Sequence, residues 1–246
     1  MRLSHKVGKL RSGQAFESAQ RHLRRKLLDW RRGIRLDPDG LIKAIDAERF
    51  EEIRRRYVTE KPGSAWLKYL DLQTWMAINL RRVRDLELDR GSPKRILDLG
   101  CGAGYFLFIS RCLGHDVVGL DIDEAPIFGE LMQMLDLERV IWRVQPFVPL
   151  PRMVGKFDLI TAFMICFNGH KSPNLWGVKE WEFFLDDLET QLTPQGRICL
   201  GFNRENDGSL YTEELRQFLE SRGARIFSDN VVLSMRHARR GVANAA

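Results

Sequence analysis

Cysteine is scarce in this chain and poorly placed for building structure. Cys101, Cys112, Cys166 and Cys199 are the only four, and none forms a C-x-x-C pair or has histidine partners at zinc spacing. A disulfide framework and a structural zinc are therefore not expected, no metal site is read, and a reducing compartment fits. Long apolar runs are missing: none reaches the length of a membrane span. A charged-then-apolar signal pattern is missing as well, so a cytoplasmic location is expected. Internal repeats and low-complexity tracts are absent.

Acidic charge is nearly missing from the start of the chain. Residues 1–33 hold ten of the 39 Lys/Arg but only Glu17 and Asp29 of the 33 acidic residues. This arm carries +8 and the remainder −2, so the high pI belongs to the arm, and a nucleic-acid reading must rest on it. Phe16, Ala19, Leu23, Leu27, Trp30 and Ile34 recur at steps of three and four, which draws one apolar stripe on a helix among arginines. Such a stripe packs on its own domain, docks a partner, or lies on an anionic membrane surface.

The 246 residues suit one large domain, or one domain with an appendage. "LDPDG" at 36–40 reads as a turn. A helix is expected from Leu41 to about Tyr57, then a break at "EKPGS", then a second helix from Ala65 to about Leu86. From "RILDLG" onward strands alternate with helices, which implies a parallel sheet covered on both faces. "RVIWRV" reads as the third strand, "FDLITAFMICF" as the fourth and "GRICLGFN" as the fifth. "ARIFSDN" and "VVLSMRH" read as closing strands turned at Asp229-Asn230. The divisions expected are a basic arm over 1–40, a helical preface over 41–92 and a main domain over 93–246.

The first strand runs into Asp98-Leu-Gly-Cys-Gly-Ala-Gly104. Gly100 and Gly102 let a turn bend tightly and bring backbone N–H groups to a ligand, and Gly104 opens the next helix. Asp121, at the end of the second strand, has acceptors for two ribose hydroxyls. The dinucleotide fingerprint needs G-x-G-x-x-G. Here the last glycine comes one residue early and a carboxylate precedes the loop, which suits a nucleoside carrying positive charge.

"LDLGCGAG" followed by "VVGLDID", "FDLITAF" and "LTPQGRICLGFN" resembles the class I S-adenosylmethionine-dependent methyltransferases, bacterial members included. The resemblance covers roughly residues 66–246. It implies an α/β, Rossmann-like, seven-stranded and mostly parallel sheet with helices on both faces, the last strand antiparallel, here with an N-terminal helical extension. It implies S-adenosyl-L-methionine as cofactor, with Gly100, Cys101, Gly102 and Gly104 around its methionine part and Asp98 beneath the loop. Asp121 would bind the ribose, with Ile122 on the adenine and Phe163 nearby. The family's acidic residue after the third strand is replaced by "VQPFVPLP", where Gln145 and Phe147 take its place as adenine contacts.

In this family the acceptor sits beyond the fourth strand, where the chain reads "FMICFNGHKSPNLWG". His170 is the general-base candidate there, because imidazole titrates near neutral pH. Cys166 follows Ile165 and not a proline, so it reads as a strand residue and not a nucleophile. The expected function is methyl transfer to a small-molecule or glycan- or lipid-linked acceptor, O-methylation favoured. The alternatives are an RNA or protein methyltransferase that uses the arm for nucleic acid, and a non-catalytic cofactor-binding scaffold.

Overall fold

The computed structural model describes residues 36–235. The basic arm of residues 1–33 and its stripe lie outside them.

The helical preface opens earlier than expected. Pro38 does not end a turn but starts helix α1, Pro38–Ile42, because Asp37 caps it by accepting from Gly40 N–H at 2.8 Å. The pattern read as one helix from Leu41 is broken at residues 43–46. There Asp46 caps a new helix, α2, Ala47–Glu60. The second expected helix is likewise two pieces. A 3₁₀ segment, Ala65–Leu70, ends at Asp71, whose carboxylate accepts from Thr74 N–H and caps α3, Leu72–Asp85. In each case an aspartate caps the helix that follows the break. Apolar spacing alone runs straight across such a break.

The sheet has the order β3-β2-β1-β4-β5-β7-β6. Its strands are β1 Arg95–Leu99, β2 Asp116–Asp121, β3 Arg139–Ile141, β4 Phe157–Ile165, β5 Leu192–Phe202, β6 Arg225–Phe227 and β7 Asn230–Ser234. β7 runs antiparallel to both neighbours, and all other pairings are parallel. The third strand stops at Ile141, short of the expected "RVIWRV". The remaining helices are α4 Tyr105–Cys112, α5 Pro126–Met134, α6 Val178–Gln191 and α7 Glu213–Ser221.

Strand periodicity divides the core in two. Ile96, Leu159 and Cys199 pack with Met76, Leu80, Tyr105, Leu107 and Met132 on the face covered by the preface, α4 and α5. Leu97, Leu99, Ile160, Ala162, Ile198 and Leu200 pack with Trp181, Leu188 and Leu219 on the face of α6 and α7. The preface therefore shares one core with the main domain. By the same alternation Asp98 and Thr161 fall on the preface side, directly beside each other in the β1–β4 register.

β1 and β4 are neighbours whose following helices cover opposite faces. That reversal of direction opens a crevice at the carboxyl ends of the strands, where open α/β sheets take their ligands.

Candidate active site

A cavity of about 520 Å³ fills that crevice. Its floor is the turn from β1 into α4. Gly100, Gly102 and Gly104 all have left-handed φ, +71°, +53° and +77°. At Gly100 a side chain would project into open space, whereas at Gly104 it would strike Met132 and approach Leu137 to 2.8 Å. One glycine thus keeps a ligand surface open and the other lets α4 sit close on α5. Cys101 is buried, and burial holds its thiol well above the usual range, so it lines the floor as an inert group.

Asp121 ends β2 and grips the turn. Its Oδ2 accepts from Gly102 N–H at 2.6 Å and its Oδ1 from Ile122 N–H at 2.7 Å. Each oxygen keeps a second lone pair. Burial raises this carboxyl, and the two backbone donors and Arg139 oppose the rise.

Asp98 lies beneath, fully enclosed, and burial pushes its carboxyl up to about 7. The Thr161 hydroxyl, which donates to Oδ1 at 2.7 Å, and the Arg82 guanidinium both pull the other way.

Arg82 is the cation beside Asp98 in the cavity, and sequence reading missed it. It stands on α3, its Nη1 donates to Asn79 Oδ1 at 2.9 Å, and its guanidinium lies over the Phe163 ring at 4.3 Å. Asn79 is fixed in turn by donating to Trp75 O at 2.9 Å. Trp75, Asn79 and Arg82 are spaced i, i+4, i+7, one helical face, and all three line the cavity. Polar residues continuing an apolar stripe are the signal that could have found them.

The wall above is aromatic. Tyr69 stacks on Trp75 at 4.5 Å and meets Phe128 edge-on at 4.8 Å, and Trp66 meets Phe128 edge-on at 5.3 Å. The Tyr105 hydroxyl donates to Tyr69 O at 2.7 Å and so ties this wall to α4. Opposite stand Phe163, Met164, Ile165, Cys166, Phe167 and Gly169, at and beyond the end of β4. Trp66 and Met164 are large apolar side chains left 43% and 45% exposed.

Asp98, Gly100, Cys101, Gly102, Gly104, Asp121, Ile122 and Phe163 thus all border one cavity. Gln145 and Phe147 do not reach it. Because β3 is short, the wall there is Trp142, Arg143 and Val144. Gln145 is exposed, and Phe147, at φ +60°, turns its ring to Phe183 instead. Cys166 lies one residue past β4, exposed, and accepts from Asn203 Nδ2 at 3.3 Å, a correction to its reading as a strand residue.

His170 follows Gly169 and is not itself part of the wall. Its Nδ1 meets Glu205 Oε1 at 2.9 Å, and Lys171 N–H donates to Glu205 Oε2 at 2.7 Å. Among the described residues no group of three or more His, Cys, Asp or Glu is arranged to hold a metal ion.

Asp98 and Asp121 below, Arg82 beside them and an open glycine turn fit S-adenosyl-L-methionine. That molecule carries an ammonium and a sulfonium for the carboxylates, a ribose diol for Asp121, and a carboxylate for Arg82.

Residues 72–200 match the family model of a methyltransferase domain. A ubiquinone biosynthesis O-methyltransferase of Acinetobacter baumannii is 28% identical over 102 residues, which is 39% of this chain and 43% of that protein. An 18S rRNA (guanine-N(7))-methyltransferase of Schizosaccharomyces pombe is 28% identical over 130 residues, 51% of this chain and 48% of that protein. The matches span less than half the length of these curated relatives. Among solved structures, a TehB-like SAM-dependent methyltransferase from Corynebacterium glutamicum superposes with a TM-score of 0.44 at 17% identity. That superposition covers 74% of this chain and 92% of the other. The magnesium protoporphyrin IX methyltransferase of Synechocystis with bound SAM gives 0.44 at 19% identity, covering 74% and 88%.

Proposed function

The chain belongs to the methyltransferase domain family with S-adenosyl-L-methionine as its cofactor, and we propose that it methylates a hydroxyl of a small or lipid- or glycan-linked acceptor. The observation that carries this reading is the aromatic half of the cavity. Trp66, Tyr69, Phe128, Met164 and Phe167 surround the space beyond the glycine turn, and the preface helices share its core. Apolar walls with a few convergent polar groups suit a small acceptor.

The bound cofactor supplies an electrophilic methyl on a sulfonium, whose transfer is an in-line displacement. The chain's own part is to hold and orient. Asp121 and Ile122 hold the nucleoside end, Asp98 and Arg82 the amino-acid end, and the aromatic wall excludes water from the acceptor. An oxygen acceptor also needs its proton taken, and His170 at the loop after β4 is the base in this reading. The Acinetobacter relative, named for O-methylation, supports an oxygen acceptor.

A second reading has its own observation. The arm's charge of +8 and the similarity to an rRNA methyltransferase favour an RNA acceptor.

The test begins with thermal shift of the full chain in S-adenosylhomocysteine and, separately, in NAD. A ligand at a hundred times its Kd adds about 2.7 kcal/mol of stability. A shift with S-adenosylhomocysteine alone is expected. Tritiated methyl transfer to hydroxylated aromatics, hydroxylated lipids and total RNA then identifies the acceptor. Label in RNA alone would replace the small-acceptor reading with the second one.

A further inference from the structure

We propose that Glu205 is a positioning residue, which fixes His170 in the tautomer whose Nε2 takes the acceptor's proton. This rests on the hydroxyl-acceptor reading above.

Glu205 lies in the turn after β5, on a different segment from the His170 loop. Its carboxylate divides its two oxygens between the His170 ring and Lys171 N–H, at 2.9 and 2.7 Å. Both side chains are mostly enclosed, 14% exposed for His170 and 11% for Glu205. The turn that carries Glu205 is itself tied down. Glu205 N–H donates to Ser209 O at 2.8 Å, Gly208 N–H to Glu205 O at 3.0 Å, and Arg204 Nη1 to Gly208 O at 2.7 Å. On the other side Gly169 and Lys171 both take left-handed φ, +74° and +56°, so the backbone bends on each side of His170.

An ionised carboxylate can only accept, so the proton between the two side chains sits on Nδ1. That leaves Nε2 with a lone pair, and it has no hydrogen-bond partner among the described residues. A base needs this tautomer. A simple tie between two loops would be met by the Lys171 N–H bond alone. The second bond, to the imidazole, adds only orientation and a negative charge beside a ring about to become positive. The preceding residue, Gly169, borders the cavity beside Cys166 and Phe167, so His170 directly follows a residue of the cavity wall.

The step balances without any further reagent. A lone pair of the acceptor oxygen bonds the methyl carbon, and the carbon–sulfur bond breaks with its pair left on sulfur. The hydroxyl proton passes to Nε2 and then to water.

The test uses full-length Glu205→Gln. Glutamine can keep the Lys171 N–H bond through its carbonyl while its amide donates to Nδ1, which moves the imidazole proton to Nε2. Nitrogen-15 chemical shifts of the cofactor-free protein read the tautomer with no acceptor present. The expected result is protonation at Nδ1 in the parent and at Nε2 in the variant. Methyl transfer to catechol and to a long-chain hydroxylated probe should fall at least tenfold, the lower side of what a general base supplies. The Kd for S-adenosylhomocysteine should not change.

A parent imidazole protonated at Nε2, or parent-level turnover in Glu205→Gln, overturns the proposal. If the tautomer shifts as expected but neither hydroxyl probe is methylated while RNA is, the hydroxyl reading has failed. The catalytic half of this inference then falls with it.

Discussion

Asp98 has almost no water to share its charge with. Burial raises its carboxyl to about 7, and the folded chain therefore binds this proton more tightly than the unfolded chain does. A raised acid stabilises the fold fully below its ordinary value of 3.8 and loses that contribution as pH rises through about 7. A ligand ammonium beside it favours the opposite state, the ionised one. An acid one unit below its pKa is about one-tenth ionised. Affinity for S-adenosylhomocysteine should thus rise roughly tenfold between pH 6 and pH 8, and Asp98→Asn should flatten that rise. Calorimetric titration across the range checks it, and an unchanged slope in the variant would separate Asp98 from the ligand. Asp98 and Asp121 were legible because they stand at strand ends beside glycines. Arg82 was not, since in "NLRRVRD" three arginines look alike and only the helix phase set by Trp75 picks out the one facing inward. Glu205 gave no local signal at all, because its partner lies 35 residues away.

At the scale of elements, the turn from β1 into α4 couples the cavity floor to helix packing. Gly104 caps α4 with left-handed backbone and no side-chain bond, and Met132 and Leu137 occupy the place a side chain would need. Gly104→Ala should cost about 1–3 kcal/mol from the backbone alone, and more from the crowding. Gly100→Ala carries the same kind of backbone strain but meets open space, so it should hurt ligand affinity more than stability. Urea unfolding and ligand titration of the two variants separate these effects, and equal losses in both would refute the division of roles. The alternating strands and helices after Arg95 were readable because buried parallel strands are continuous apolar runs. The preface was misread because its breaks are made by Asp46 and Asp71, whose capping bonds compete with periodicity over a single residue.

Across the whole molecule, charge is partitioned. The arm holds +8 and the remainder −2, while the preface from Leu41 onward packs into the same core as β1 and α4. Removing residues 1–33 should therefore leave the Kd for S-adenosylhomocysteine within about twofold, the scale of changes far from a site. Binding to RNA or to anionic vesicles should lose most of its salt dependence. A truncated chain that no longer unfolds cooperatively would show that the arm belongs to the core. The salt dependence is the readout because clustered Lys and Arg attract phosphates of nucleic acid and of lipid alike.

Trp66, Trp75 and Trp142 border the cavity, and the chain has six tryptophans in all. Half of its indoles therefore sense whatever enters, and Trp66 does so from a partly solvated position at the mouth. The protein carries its own fluorophores at the point of entry. Filling of the pocket can be followed as a change in intrinsic emission, in real time and without a label, before any acceptor is known.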